Sequence, residues 1–218
     1  MKKHVIVFLI MAIIAVGCTS DQEFLDREPT NILTEDQIFS DPELPVSILA
    51  DLYNRYHDFG SVEQWWTLAD FNQAFYSNQG DYWRFQNPER GYGDWGTWDY
   101  GYIRHMNLFI ERLEASEALD EEDRNALIAE TRFLRASYYF TLVKRMGGVP
   151  LITESLTYDF SGDPTYLQTP RSTEAEIYDF VIQEAEEIKD MLPANANRKS
   201  RATKGAVLAM QSRAALYA

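Results

Sequence analysis

The residues best suited to chemistry lie in one aromatic stretch, residues 60–101, which holds all five tryptophans of the chain. Within it, residues 78–95 combine aromatic rings with glycines, amides and carboxylates. An aromatic ring can stack on the apolar face of a sugar, offering roughly 150–250 Å² of surface, while amides and carboxylates orient the sugar hydroxyls. The predicted ligand contacts are four: Trp83 and Trp95, with Tyr82 and Asn87 behind them.

The other tryptophans favour a second interpretation, in which rings pack beneath the loop as a small local core. The spacing of Trp98 to Tyr102 and Ile103 places it on the inner stripe of a predicted helix. Trp65 and Trp66 lie beside another predicted helix, so we expect one of them to be buried. Packing therefore stays the alternative for each ring of the stretch.

Composition limits the remaining classes of function. The chain has 34 acidic and 20 basic residues and a formal net charge of −14, whereas a nucleic-acid-binding protein needs a basic face. One cysteine and three histidines exclude an intrachain disulfide and a cysteine-based zinc site, and they disfavour a Ser/His enzyme. Calcium could bind Asp159, Ser161 and Asp163, but the EF-hand spacing is absent. We expect neither a metal nor a cofactor.

A catalytic alternative rests on carboxylates near the aromatic rings. A surface glycoside hydrolase needs two carboxylates at a defined separation, and Asp81 and Asp94 stand beside Trp83 and Trp95. Among 34 acidic residues such a pairing carries little weight. A structural helical-repeat adaptor, the third interpretation, predicts loops without exposed aromatics, which disagrees with residues 60–101. We therefore expect a binding protein and no enzyme.

The N-terminus carries the pattern of an export signal. Lys2 and Lys3 precede an unbroken apolar run at residues 5–16. As a helix this run is about 18 Å long, too short for a hydrocarbon core of about 30 Å, so it is typical of a signal peptide. It ends in Ala-Val-Gly-Cys at residues 15–18, which resembles the lipobox of bacterial lipoproteins. We expect lipidation of Cys18; an ordinary secretory signal is the alternative.

Beyond the N-terminus the apolar residues follow helical spacing, with no β pattern of any length. Asp120, Thr173 and Thr203 are predicted N-caps, and Gly147-Gly148 is the predicted stop of the third helix. The sequence predicts an all-α architecture of antiparallel helix pairs with long aromatic-rich loops. The predicted helices cover about residues 44–57, 98–115, 121–146, 173–192 and 203–218.

The last predicted helix has no stop signal before Ala218. Five helices with wide apolar faces also need more partners than this sequence supplies, so we expect the N-terminal part of a longer protein that unfolds with poor cooperativity alone. The expected organisation is a lipoprotein signal peptide at residues 1–17, a lipidated N-terminus and tether at 18–41, and part of a helical domain at 42–218.

Several segments together resemble the signature of one family. FLDREP at residues 24–29 follows the lipobox, and ETRFLRASYYFTLVKRMGGVPL occupies residues 130–151. PRSTEAEIY at residues 170–178 is followed by RATKGA at 201–206. In this order they resemble the SusD/RagB family of outer-membrane nutrient-binding lipoproteins. A further pattern of that family is matched by Trp98, Tyr102, Ile103 and Asn107.

The resemblance implies an all-α fold with tetratricopeptide-like helix pairs and no catalysis. It implies a surface-facing, lipid-anchored protein of the outer membrane that captures an oligosaccharide. The ligand would pass to a partner, a SusC-type TonB-dependent transporter. Some members serve peptide uptake, so a peptide ligand is the alternative.

The matched residues indicate the fold more than the ligand, because most have the types that pack helices or form turns. Arg132 and Arg135 are expected to pair with Glu130 or with a helix end. Arg171 and Lys204 are expected to act as caps or buried anchors.

Overall fold

In the computed structural model, every regular element of the described residues is helical. The structure describes residues 38–39, 41, 43–56, 98–195 and 200–218. The all-α fold class is thereby confirmed, whereas the tetratricopeptide-like pairing stays a prediction. The five α-helices are α1 Leu44–Asn54, α2 Tyr100–Ala115, α3 Glu121–Met146, α4 Glu174–Ile188 and α5 Lys204–Tyr217.

The helix starts follow from polar residues that accept orphan backbone N–H groups. Asp120, Thr173 and Thr203 each accept such a group in the first turn of their helix, which confirms the predicted N-caps. Thr173 and Glu176 form a complete capping box. The α2 helix begins two residues later than predicted, because Asp99 is its N-cap.

The α3 helix lies at the centre of the fold and packs against the other four helices. Between residues 127 and 143 every side chain except Arg132 is buried. The sequence predicts a single apolar stripe here, whereas the structure buries the helix on all sides. A helix with partners all around it has no solvent face to mark with polar residues.

Burial of α3 encloses the carboxylate of Glu130, which is only 4% exposed. Two hydrogen bonds from Arg201 and one of 2.7 Å from the Tyr53 hydroxyl neutralise and saturate it. Burial, together with the adjacent Glu130, raises the pKa of Tyr53, so that its hydroxyl stays protonated as a donor. The same oxygen accepts the N–H of Ala202 at 2.8 Å. One buried carboxylate thus links α1, α3 and the start of α5.

A second enclosed carboxylate, Glu184 on α4, joins two arginines of α3. It accepts from Arg132 at 2.6 and 3.1 Å and from Arg135 at 3.1 Å. Arg132 also reaches the exposed Glu187. The prediction that these arginines pair with Glu130 or a helix end was wrong, because both cross to α4 while Glu130 binds Arg201.

The turn after α3 is built on two glycines. Gly147 ends the helix with a φ of 70°, in the left-handed region that favours glycine. A Cβ on Gly148 would lie 2.1 Å from the carbonyl oxygen of Ser172, so the backbones of the segments around Gly148 and Ser172 are in direct contact. Arg171 donates to the Met146 carbonyl at 3.2 Å, which confirms its predicted capping role.

Lys204 does not follow its prediction as a cap or buried anchor. Its ammonium group forms an ion pair of 2.5 Å with Asp190, and both side chains are largely exposed. Thr203 provides the cap of α5 instead.

None of the helices that the structure describes is both long enough and apolar enough to cross a membrane.

Candidate functional site

Residues on either side of the aromatic segment 57–97 meet at one point of the helical scaffold. Arg55, just after α1, forms an ion pair of 3.1 Å with Asp99, the N-cap of α2. Its guanidinium also lies 2.5 Å from Nδ1 of His105, which must be the acceptor because a guanidinium has only donors. The same group lies 4.9 Å from the ring centre of Tyr102. The scaffold therefore fixes where the segment leaves and where it returns.

The predicted ligand contacts lie within that segment and outside the described residues: Trp83, Trp95, Tyr82 and Asn87. Asp81 and Asp94 lie there too, and the lipidation residue Cys18 precedes the first described residue. These assignments stay predictions. The structure contributes the anchoring points of the segment and the side chains around them.

Trp98 is one of those side chains, and its predicted place on a helix stripe was wrong. It precedes the N-cap of α2 and is 37% exposed. Its ring lies 5.4 Å from that of Tyr100 and 5.6 Å from the guanidinium carbon of Arg171. Helical spacing from Tyr102 and Ile103 does not apply to Trp98, because the chain is not yet helical there. An indole therefore faces solvent at the base of the aromatic segment.

Tyr100 fixes the other side of this base. Its hydroxyl donates to the Pro150 carbonyl at 2.7 Å, and burial raises the pKa of Tyr100, so the phenol remains a donor at ordinary pH. Tyr138 accepts the backbone N–H of Asp99 at 2.7 Å. The residues around the indole are thus held by a half-buried tyrosine of α2 and a buried tyrosine of α3.

The segment after α3 is held along α2 by a polar network. Asn107 donates to the carbonyls of Ile152 and Glu154 at 3.1 and 2.9 Å. Arg135 donates to the Asn107 side-chain oxygen at 2.9 Å and to the Thr153 carbonyl at 3.0 Å. At the far end, the Glu111 carboxylate accepts the backbone N–H and hydroxyl of Ser155, at 2.6 and 2.5 Å.

Tyr139 completes this attachment from α3. Its hydroxyl donates to the Ile152 carbonyl at 3.0 Å and accepts the N–H of the same residue at 2.8 Å. Burial raises its pKa to about 12. Residues 150–155 are therefore a rigid base for the loop that follows.

That loop, residues 157–166, is fastened by two tyrosine hydroxyls. Tyr166 accepts the N–H of Asp159 at 2.6 Å and donates to the Thr157 carbonyl at 3.2 Å. Tyr158 accepts the N–H of Gly162 at 2.9 Å. Both tyrosines use their polar ends on the backbone, so the loop has a defined shape although it lies at the surface.

Phe160, at the tip of this loop, is held in an unfavourable state. Its ring is 88% exposed and its φ is 59°, the only positive φ of a non-glycine residue in the described part of the chain. The left-handed conformation costs about 1–2 kcal/mol for such a residue. Leaving the side chain in water forgoes about 1.5–3 kcal/mol of burial. Strain of this kind is concentrated at ligand clamps and active sites, which makes Phe160 a candidate contact.

The acidic residues of the loop form turns. Asp159 accepts the N–H of Ser161 and Asp163 that of Thr165, each at 3.0 Å. Hydrogen bonds from Ser161 lower the pKa of Asp159, and those from Thr165 lower the pKa of Asp163, so both are ionised at neutral pH. Within the described ranges, no three His, Cys, Asp or Glu side chains are grouped to hold a metal ion.

From the sequence this region is predicted to be a long loop with a possible calcium site at Asp159, Ser161 and Asp163, and Phe160 was missed. The density of turn residues in Asp-Phe-Ser-Gly-Asp-Pro indicates a loop. Neither the positive φ nor the exposure of the ring follows from that composition, because both are properties of the folded loop.

Most of the chain matches a known protein family. Residues 23–216 match a SusD-like family model that is described as starch-binding and associating with the outer membrane. The chain belongs to the SusD-like family. The match spans all five helices, the loop 157–166 and the aromatic segment, so the SusD-like assignment covers both candidate surfaces.

Solved SusD-like structures share the fold. A SusD-like protein from Bacteroides fragilis is 30% identical and aligns with a TM-score of 0.65 over 88% of this chain and 38% of its own. A SusD-like carbohydrate binding protein from the same species aligns with a TM-score of 0.64 at 21% identity, over 82% and 38%. A curated SusD-like protein of Formosa agariphila is 31% identical over 65 residues, 29% of this chain and 12% of the relative. The chain thus spans well under half the length of these relatives.

Proposed function

We propose that this SusD-like protein captures a glycan at the bacterial surface without catalysing its cleavage. The carrying observation is the fixed base of the aromatic segment, where Arg55 and Asp99 join its two ends and Trp98 faces solvent. Loops on a rigid scaffold are where binding residues usually lie. The family description as starch-binding supports a glycan over a peptide, which is the alternative ligand.

In this proposal Trp83 and Trp95 supply the main stacking surfaces, and Tyr82 and Asn87 assist them. Trp98 extends the site to the scaffold, because its indole is exposed beside Arg171. Stacking on indoles selects a ring with an apolar face, and a peptide without aromatic or proline side chains offers none.

Alanine substitutions of the tryptophans test the ligand site. In the full-length protein, titrated with soluble starch, we expect Trp83→Ala and Trp95→Ala each to weaken binding by about fivefold or more, because each removes a stacking surface. Circular dichroism should be unchanged. Tyr217→Ala, which removes an exposed ring on α5, is the matched control and should bind as the parent does. Normal binding by both tryptophan variants would place the site elsewhere.

We further propose that Cys18 is lipidated and holds the protein on the outer face of the outer membrane. Two or three acyl chains anchor a protein far more firmly than one. The proposal rests on the lipobox-like residues 15–18 and on the family's association with the outer membrane.

Cys18→Ala is expected to abolish the lipid and release the protein. Mass spectrometry should then lack the lipid mass, and fractionation should find the protein in the soluble fraction. Ser20→Ala, two residues away, is the control and should leave both unchanged. Membrane retention of the Cys18 variant would contradict the anchor.

The proposed partner is a SusC-type TonB-dependent transporter that accepts the glycan from this protein. Co-purification in mild detergent tests this partnership, and its absence would count against it. Incubation of the full-length protein with soluble starch tests the absence of catalysis, since new reducing ends would identify a glycoside hydrolase instead.

A further inference from the structure

We propose that Phe160 and Tyr158, at the tip of the loop 157–166, form a second glycan contact that takes a neutral sugar ring. The inference rests on the proposed glycan capture but concerns a different surface. Its basis is the exposed Phe160 ring, the polar residues on both sides of it and the charge of the loop.

The apolar area at the tip is small and has polar neighbours. The Phe160 ring packs edge-on against Tyr158, with ring centres 5.2 Å apart, and its sequence neighbours Asp159, Ser161 and Gly162 are exposed. A specific protein interface buries about 800 Å² on each partner, whereas one aromatic side chain offers roughly 150–250 Å². Two edge-packed rings with carboxylates and hydroxyls beside them therefore fit a sugar, which combines an apolar face with hydroxyl edges, better than a protein.

The charge of the loop selects among possible ligands. Residues 151–170 contain no lysine, arginine or histidine, while Glu154, Asp159 and Asp163 are acidic and exposed. Anionic lipid headgroups and uronic or sulfated glycans would meet the like charges of these carboxylates, which disfavours them. The carboxylates can instead accept hydrogen bonds from the hydroxyls of a neutral sugar.

The contact is preorganised, because the loop is already ordered without a ligand. The Tyr166 hydroxyl bridges Thr157 and Asp159, and the Tyr158 hydroxyl holds Gly162. Binding to a ring that is fixed in advance avoids most of the entropy cost of ordering a flexible loop.

The chain that leads into the loop runs along α2, starting beside the base of the aromatic segment. The chain meets Pro150 beside Tyr100 and reaches Ser155 beside Glu111, eleven residues along α2. That distance is about 16 Å at roughly 1.5 Å per residue. The loop leaves the scaffold beside Glu111, and the chain after the loop returns to Arg171, whose guanidinium carbon lies 5.6 Å from the Trp98 ring.

Substitution of Phe160 in the full-length protein tests the proposal. In native affinity gels cast with soluble starch, we expect Phe160→Ala to bind about five- to tenfold more weakly and Phe160→Trp to retain binding, since only the former removes the ring. Tyr217→Ala, which removes a partly exposed ring on α5, should bind starch as the parent does. Because Phe160 is almost fully exposed, both Phe160 variants should keep the parent's melting temperature.

The outcomes distinguish this inference from the proposed function. If the parent binds starch and Phe160→Ala binds equally well, the second contact is overturned while glycan capture stands. If the parent binds polygalacturonate and not starch, the neutral-sugar specificity is overturned while glycan capture again stands. If the parent binds no polysaccharide, the proposed function fails and this inference fails with it.

Discussion

Glu184→Ala is expected to lower the free energy of unfolding by about 3–5 kcal/mol, because it leaves Arg132 and Arg135 without their shared carboxylate inside the fold. Arg135 is 6% exposed, and its remaining hydrogen-bond partners among the described residues are the Asn107 side chain and the Thr153 carbonyl. Neither partner carries a charge that compensates the guanidinium. Urea unfolding followed by circular dichroism measures the loss.

Glu187→Ala is the matched control for Glu184→Ala. Glu187 pairs with the same Arg132, but its side chain is 47% exposed, so we expect a change within about 1 kcal/mol. The comparison separates the effect of an enclosed carboxylate from that of a surface ion pair. Equal losses of unfolding free energy for the two variants would show that water screens the Glu184 ion pairs as it screens a surface pair.

Gly148→Ala is the second variant expected to have a large effect. Its Cβ would lie 2.1 Å from the Ser172 carbonyl oxygen, and the obstacle is backbone, which cannot rotate away as a side chain can. The residues after α3 and before α4 must separate, which breaks the hydrogen bond from Ser172 N to the Val149 carbonyl. We expect a loss of about 3 kcal/mol or more, at the upper end of overpacking effects.

Thermal unfolding of Gly148→Ala and Gly162→Ala separates the effect of the backbone clash from that of backbone strain. Gly162 has a φ of 92° but no atom within 4 Å of an added Cβ, so its substitution reports backbone strain alone. We expect Gly162→Ala to cost about 1–2 kcal/mol, and each kcal/mol to lower the melting temperature by about 2–4 °C. A Gly148→Ala variant as stable as Gly162→Ala would mean that the segments around Gly148 and Ser172 separate at no additional cost in free energy.

Most of the correct fold prediction came from interactions between residues that are close in sequence. The caps Asp120, Thr173 and Thr203 act within four residues of sequence, and the stop at Gly147 depends on its own backbone conformation. Periodicity also identified the inner residues of α2, such as Met106 and Leu113, which are completely buried. Such features need no knowledge of distant residues, so a single sequence suffices for them.

The rest depended on which helices become neighbours. Glu184 lies 49 residues from Arg135, and no local pattern links them. The same limit applies to Trp98, whose position follows from Asp99 acting as N-cap, and to Phe160, whose exposure depends on the folded shape of its loop. For Trp83 and Trp95 only the anchoring points of their segment are known, so the central contacts of the candidate site stay predictions.

The meeting of Arg55 and Asp99 bears on how this protein can change over generations. The residues on either side of the segment 57–97 are held together by contacts of their own. Doubling the length of a flexible loop between fixed ends costs only about 0.6 kcal/mol. If the proposed ligand contacts lie in this segment, we expect changes of its length and sequence to alter ligand preference more than the packing of the five helices. Replacement of the segment, in evolution or by design, is therefore a route to a different ligand specificity on the same helical scaffold.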